Sequence, residues 1–471
     1  MAVLYSINPI YQQYNYSTGG ITKSGMVKKS VSMNPSLQNN ISFKANSADT
    51  AFAANTIQTE LRTKEEKEKY KYLTANVDKS TKKELNKLLK TGILLNNDSN
   101  DRSSVLDNLY KIATTPRAEG LNNAGILKEA IETIANPYLI TQQFGDIPAE
   151  YQDEALKRYA QTHPGFNPAT TNLIQKGIAK TDVNLEHSGT CVASSIEFNL
   201  AQKHPAEFVR FAESLSSPAL SVQKEIKLSN LADNVLDAVW LLNAFEVPFK
   251  ADNFNTAKLT FAPDKNAVLR AQIQTTHRDP GERSVIDVLM QSTLMQVGSQ
   301  QTYDALTDTR GGKFNQNDKG LIEFEKTFTE SVVEDKNKIS MTYQTVDENA
   351  RITGYETDFN IMKKQIISAL AMGENVIIGY TQTDETNKII NGHEITITGV
   401  KQDRNGQLQF ICNDTDDDYS GSIVYTEDYL LPKIHHAALP QSVVENDVNI
   451  VENWVEGLKS YKAMKQQAQA A

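Results

Sequence analysis

Between residues 61 and 150, apolar residues recur at helical spacing within charged or polar stretches. Residues three and four apart lie on one face of a helix, so the spacing predicts amphipathic helices. The apolar positions are Tyr70, Leu73, Leu85, Leu88 and Leu89, then Val105, Leu106, Leu109 and Ile112, then Ile126, Leu127, Ile131 and Ile134. A helix with one apolar stripe needs a partner. We therefore predict a helical domain or cap over residues 61–150.

The two ends of the chain have different patterns. Residues 1–60 are rich in Ser, Asn, Thr and Gln without a sustained period, which predicts a disordered tail. Residues 441–471 return to helical spacing and are predicted to form a C-terminal helix. Its apolar face would comprise Val448, Val451, Trp454, Val455 and Leu458.

The stretch "GTCVASSIEFNLA", which begins at Gly189, predicts another amphipathic helix. Val192, Ile196 and Leu200 form its apolar stripe, and a proline at position 205 predicts an end near residue 203. Glycine at position 189 allows a tight entry, and a hydroxyl of Thr190 or Ser188 is expected to cap the first amides. Cys191 then lies in the first turn, where the helix dipole favours a thiolate.

Strand patterns dominate the region after residue 375. "NVIIGY" is typical of a buried strand, "HEITITGV" alternates, and "QLQFICN" follows after a turn at Asn405–Gly406. This turn predicts an antiparallel hairpin. His393 then opens one strand, while Asn413 and Asp414 close its neighbour, so we expect the imidazole to lie beside an amide or a carboxylate. Such a neighbour fixes the tautomer of a catalytic histidine.

Composition narrows the functional classes. The 471 residues carry a formal net charge of −10, which argues against a nucleic-acid partner of the basic-groove kind. No apolar run reaches the ~20 residues of a membrane helix, and the amino terminus lacks a standard signal peptide pattern. The only two cysteines, Cys191 and Cys412, cannot form a disulfide framework. We expect a cytoplasmic protein or one exported by another route.

The order of these residues resembles that of the papain-like cysteine peptidases. "GTC" with its helix resembles the nucleophile segment, "GHEITITGV" the histidine strand, and "FICND" the segment with the orienting side chain. The resemblance implies an α+β fold over residues 160–440, with insertions around 205–340. It also implies a catalytic set of Cys191, His393 and Asn413, with Asp414 as the alternative to Asn413.

The sequence also departs from the family pattern. The oxyanion-hole glutamine that precedes the family's cysteine has no counterpart, so we expect the side-chain amide of Asn184 to take its place. The tryptophan motif after the asparagine is absent as well. The acidic residues Asp414, Asp416, Asp417 and Asp418 do not follow the order of a calcium loop and predict a solvated loop. We therefore expect no metal and no cofactor.

The resemblance implies a thiol peptidase that acts on a protein or peptide through a thioester. Two alternatives remain open: an inactive papain-like binding scaffold, and an acyl-transfer or deamidating enzyme of transglutaminase type. The helical region before residue 160 would be a regulatory cap, a propeptide or a docking domain.

Overall fold

A computed structural model describes residues 57–145, 147–148, 150–151, 153, 157, 189–227, 249–251, 256–299, 303–306, 308–310, 320–321, 323–416 and 421–444. The predicted N-terminal tail, up to residue 56, lies outside the described residues. So do Asn184, Ser188, Asp417 and Asp418, and the predicted C-terminal helix after residue 444.

Four helices form the first part of the structure: α1 (Lys64–Ala75), α2 (Lys79–Lys90), α3 (Val105–Thr114) and α4 (Asn123–Ala135). Each begins at a capping residue whose side chain accepts a hydrogen bond from an amide of the first turn, namely Thr63, Asp78, Ser104 and Asn122. Such caps satisfy amides that have no partner within the helix. The predicted stripes of α3 and α4 are entirely buried, as are Leu73, Leu85 and Leu88 of the first set.

The second part contains helices and short strands. In chain order these are α5 (Cys191–Lys203), α6 (Pro205–Leu215), β1 (Val222–Lys227), β2 (Phe249–Ala251), β3 (Thr256–Phe261), α7 (Ala267–His277), α8 (Val285–Gly298), β4 (Tyr303–Asp304), β5 (Thr309–Arg310) and α9 (Glu323–Glu334). The first three strands form a small antiparallel sheet in the order β1-β3-β2. As predicted, the helix that starts at Cys191 ends at Lys203, just before Pro205.

The third part builds the main sheet. Its elements are β6 (Lys338–Thr342), β7 (Gln344–Val346), β8 (Ile352–Tyr355), α10 (Phe359–Ala371), β9 (Val376–Thr383), β10 (Ile389–Gln402), β11 (Leu408–Asn413), β12 (Ile423–Thr426), α11 (Glu427–Leu430) and β13 (Ile434–Pro440). Six strands form an antiparallel sheet in the order β12-β11-β10-β9-β13-β6. The predicted hairpin joins β10 to β11, and Gly406 supplies the positive φ of +85° in its turn.

One apolar core runs through all three parts. Helix α3 packs on α6, α4 contacts α8, and α5 lies against both α8 and strand β10. Buried side chains of the four N-terminal helices belong to the same cluster as those of the main sheet. The fold is mixed α+β, as predicted, and no helix in the described part of the chain is long and apolar enough to cross a membrane.

Candidate active site

Helix α5 presents Cys191 at its first turn, and the side chain is half-buried. The predicted apolar stripe is buried, but the prediction of an amphipathic helix was wrong, because every residue from Val192 to Ala201 is buried. The helix is surrounded by α6, α8, α9 and the sheet. Its polar side chains therefore need buried partners. Ser194, for example, pairs with Thr415, and Asn199 accepts a hydrogen bond from Asn375.

The start of α5 is held differently from the prediction. Thr190 is the N-cap residue, but its hydroxyl caps no helix amide and donates to Oε1 of Gln291 at 2.9 Å. The Gly189 amide donates to the carboxylate of Asp308. Side chains from distant segments thus fix the backbone that leads into Cys191. Residue propensities near the helix start could not predict these contacts.

A buried polar network continues below the start of α5. Nε2 of Gln291 donates to Glu197 on α5 at 3.0 Å and to the Thr141 carbonyl at 2.9 Å. Burial and the neighbouring Asp287 carboxyl raise the pKa of Glu197 well above its usual range. Burial also raises the pKa of Asp287. The pair therefore favours a proton shared between the two carboxyls over two buried negative charges.

His393 lies on β10 and faces both Cys191 and an acidic residue. Its Nε2 is 2.7 Å from Oδ1 of Asp414, and the Cys191 side chain is near enough to contribute to the pKa of the ring. Because Nε2 is engaged by Asp414, Nδ1 is the ring nitrogen that remains for the sulfur. The structure thus brings together three residues at positions 191, 393 and 414.

The hairpin places Asp414, and not Asn413, beside His393. Asn413 is the last residue of β11, lies opposite Thr396 and is buried at 3% exposure. Its Nδ2 has no hydrogen-bond partner among the described residues. The backbone leaves the strand after Asn413, and the Asp414 side chain then reaches the imidazole. The prediction of Asn413 as the partner of His393 was therefore wrong at this contact, and the alternative, Asp414, makes it.

Asp414 gives the His393 ring a strong preference for the protonated form. Burial of the ring lowers the pKa of His393, but the charge and the hydrogen bond of Asp414, together with Cys191, raise it. The net result is a pKa well above the usual range, although the side chain is only 12% exposed. A positively charged imidazole next to a thiol favours the thiolate.

The loop that carries Asp414 is anchored by neighbours that the sequence analysis did not single out. The Thr415 hydroxyl lies 2.7 Å from that of Ser194, one turn below Cys191. The Thr415 carbonyl accepts the Gln142 amide at 3.0 Å. Asp414 Oδ1 also accepts the Asp416 amide at 3.0 Å. Gln142 precedes Thr415 by 273 residues, so no local pattern marks it as part of this site.

A cavity of about 480 Å³ opens beside the histidine strand. It is bounded by the β7–β8 hairpin and by Thr381, Tyr429 and Lys433, among others. Thr381 lies opposite Gly392, and Tyr380 lies opposite His393. The hydroxyls of Tyr380 and Tyr429 are 2.8 Å apart, and the Lys433 ammonium lies over both rings. The cavity is therefore lined in part by β9, the strand that pairs with the histidine strand.

The second cysteine has the opposite environment. Cys412 is fully buried on β11, and this burial, with a contribution from Asp414, raises the pKa of its thiol. It is therefore a protonated, inaccessible side chain. Cys412 can therefore serve as an unreactive control when the reactivity of Cys191 is measured.

Comparison with known proteins adds no assignment: no family model, no curated protein and no solved structure matches this chain.

Proposed function

We propose that this protein is a cysteine-nucleophile hydrolase with a papain-like catalytic arrangement. The observation that supports this most strongly is the proximity of Cys191, His393 and Asp414, with His393 hydrogen-bonded to Asp414. Each member has a distinct role: Cys191 is the nucleophile, His393 the general acid and base, and Asp414 orients the ring and stabilises its positive charge. The mixed α+β fold, with a buried helix against an antiparallel sheet, is compatible with the resemblance.

In the first half of the reaction, the Cys191 thiolate attacks the carbonyl carbon of the substrate. The carbon–sulfur bond forms as the oxygen takes the negative charge. Cys191 is the first residue of α5, so its amide belongs to the group without a partner inside the helix and can donate to this oxygen. The carbon–nitrogen bond then breaks, and the His393 imidazolium gives its proton to the leaving amine.

In the second half, water hydrolyses the thioester. The neutral His393 ring removes a proton from the water as its oxygen attacks the carbonyl carbon, and the sulfur leaves as thiolate. The ring is again an imidazolium beside Asp414, and the product is a carboxylic acid. We propose a protein or peptide as the substrate, in line with the resemblance, and Asn184 remains the predicted second oxyanion donor.

The reactivity of the two cysteines tests this proposal directly. We expect iodoacetamide to modify Cys191 rapidly near pH 6, where an ordinary thiol with a pKa of about 8.5 reacts little. His393→Ala should slow the modification at this pH at least about tenfold, because the thiolate loses its imidazolium partner. Cys412 is the control within the same molecule, and its rate should stay very low in both proteins.

Two results would contradict the proposal. Equal, slow labelling of both cysteines would favour the inactive scaffold. A fast rate for Cys191 that is unchanged in His393→Ala would show that the histidine does not activate the sulfur. Mass analysis of a protein substrate then distinguishes the reactions, because hydrolysis of the chain yields fragments and deamidation releases ammonia without cleavage.

A further inference from the structure

A second cluster of reactive side chains lies on strand β13, away from Cys191. A bulge in this strand occurs where Ile434 pairs with Tyr380 but His436 already pairs with Gly379. A bulge inserts an extra residue and breaks the alternation of side chains. The consecutive residues His435 and His436 consequently lie side by side, with ring centroids 5.2 Å apart, and both are buried.

A carboxylate from helix α9 completes the cluster. Glu323 is the first residue of that helix, and its Oε1 accepts hydrogen bonds from the hydroxyls of Ser340 at 2.7 Å and Thr342 at 2.6 Å. One possible ligand atom from each of Glu323, His435 and His436 lies within 4.8 Å of the others. This is the only such group of three in the part of the chain that the structure describes.

The surroundings of His436 are those of a histidine that binds a metal. Its Nε2 lies 2.9 Å from Oε1 of Glu394, and Glu394 is in turn held by the Lys326 ammonium at 3.1 Å. Metal-bound histidines commonly have a carboxylate beside their second ring nitrogen. Nε2 makes no hydrogen bond of regular geometry with Glu394, and Nδ1 is buried and has no hydrogen-bond partner among the described residues. Such an unsatisfied buried atom calls for an explanation.

The sheet also makes room for this ring. Gly379 lies directly opposite His436, and a Cβ atom at Gly379 would overlap the imidazole.

The negative and positive charges of the cluster are also unbalanced. Glu323 and Glu394 supply two carboxylates, whereas Lys326 is the only permanent cation in contact with them among the described ion pairs. A bound cation would compensate this negative charge.

We propose that Glu323, His435 and His436 bind a zinc ion. Two imidazole nitrogens and one carboxylate oxygen form a ligand set that zinc accepts, and water can fill the remaining position. This differs from our expectation, based on the sequence alone, that the protein needs no metal. The ion would link helix α9 to strand β13. It would also brace β10 through Glu394, the residue next to His393.

Zinc binding is best measured in Cys191→Ser, because a thiolate beside His393 and Asp414 could bind zinc as well. We expect this variant, stripped of metal with a chelator, to take up one equivalent of Zn²⁺ per chain. Bound Co²⁺ should give the visible absorption of a nitrogen and oxygen site without a sulfur charge-transfer band. Zinc X-ray absorption should report two imidazole ligands and no sulfur.

Variants of the ligands provide the matched comparison. His435→Gln and His436→Gln should each weaken zinc binding at least about tenfold, and Glu394→Gln should weaken it by roughly 10- to 100-fold. The control is His204→Gln, since His204 is half-buried beside Asp98 and lies outside the cluster. In the Cys191→Ser background, this variant should bind zinc with the same affinity as Cys191→Ser alone.

Three results would overturn the zinc proposal. The first is that folded Cys191→Ser binds no zinc tightly. The second is a zinc spectrum without two imidazole ligands. The third is equal zinc affinity in Cys191→Ser with and without a folded His436→Gln. The first would mean that no metal ion occupies the cluster. If the ligand variants do not fold, the spectra of Cys191→Ser alone decide. None of these outcomes bears on the reactivity of Cys191, so the two proposals stand or fall separately.

Discussion

Nε2 of His393 lies 2.7 Å from Oδ1 of Asp414, the first residue after strand β11. This contact decides which of two adjacent polar residues orients the histidine. It also gives the ring a full negative charge as its neighbour, where an asparagine would offer only a dipole. The raised pKa of His393 therefore depends on Asp414.

We predict that Asp414→Asn lowers the rate of substrate hydrolysis roughly 100-fold or more. The amide can occupy the same place, but it can present its NH₂ group to Nε2 and cannot stabilise the imidazolium charge. Asn413→Ala is the matched variant, and it should change the rate far less. Steady-state hydrolysis and Cys191 alkylation rates provide the measurement. Greater damage from Asn413→Ala would reverse the assignment.

The raised pKa of His393 predicts a specific dependence of stability on pH. A histidine whose pKa is higher in the folded state stabilises the fold fully below its unfolded pKa of about 6.5. This contribution declines as the pH rises toward the folded-state pKa. The difference in melting temperature between the wild type and His393→Asn should thus be largest near pH 5 and shrink at alkaline pH. A difference that grows with pH would contradict the raised pKa.

The hydroxyl pair of Ser194 and Thr415 is predicted to position the loop that carries Asp414. Thr415→Val removes this hydrogen bond and should lower the free energy of unfolding by about 1 kcal/mol. It should also slow hydrolysis, because Asp414 is the preceding residue. Thr398→Val is the control, since its hydroxyl donates to the Ile411 carbonyl away from this loop. If both variants lose equal activity, the loop contact has no special role.

The raised pKa values of Glu197 and Asp287 predict that Glu197→Gln stabilises the protein at neutral pH. A buried carboxyl with a raised pKa penalises the fold above its unfolded pKa, which is about 4.3 for glutamate. Glutamine keeps an oxygen for Gln291 and offers a donor to Asp287. Its melting temperature should exceed that of the wild type at pH 8 and match it near pH 4. Exposed Glu348→Gln should show no such trend.

Local patterns predicted the elements that carry the site. The bounds of α5 followed from Pro205, and the β10–β11 hairpin followed from Asn405–Gly406. These features depend on residues close in the chain. The choice between Asn413 and Asp414 could not be predicted from a local pattern, because it depends on how the backbone leaves the sheet.

Tertiary contacts explain what the patterns missed. Helical periodicity predicted an amphipathic α5, but the helix is buried all round, and Gln291 and Thr415 provide hydrogen bonds for Glu197 and Ser194 in the interior. The histidine pair became a cluster only through a bulge in β13 and a carboxylate from α9. Neither the bulge nor the approach of the helix leaves a periodic signal in the sequence.

The backbone bond from the Gln142 amide to the Thr415 carbonyl joins the N-terminal helices to the loop of Asp414. A polypeptide shortened to begin near residue 160 would lack this hydrogen bond. It would also leave the apolar surface of α6 open to water where α3 now covers it. If a protease nicks the chain after residue 145, both fragments should therefore remain associated, and the reactivity of Cys191 should persist until a denaturant separates them.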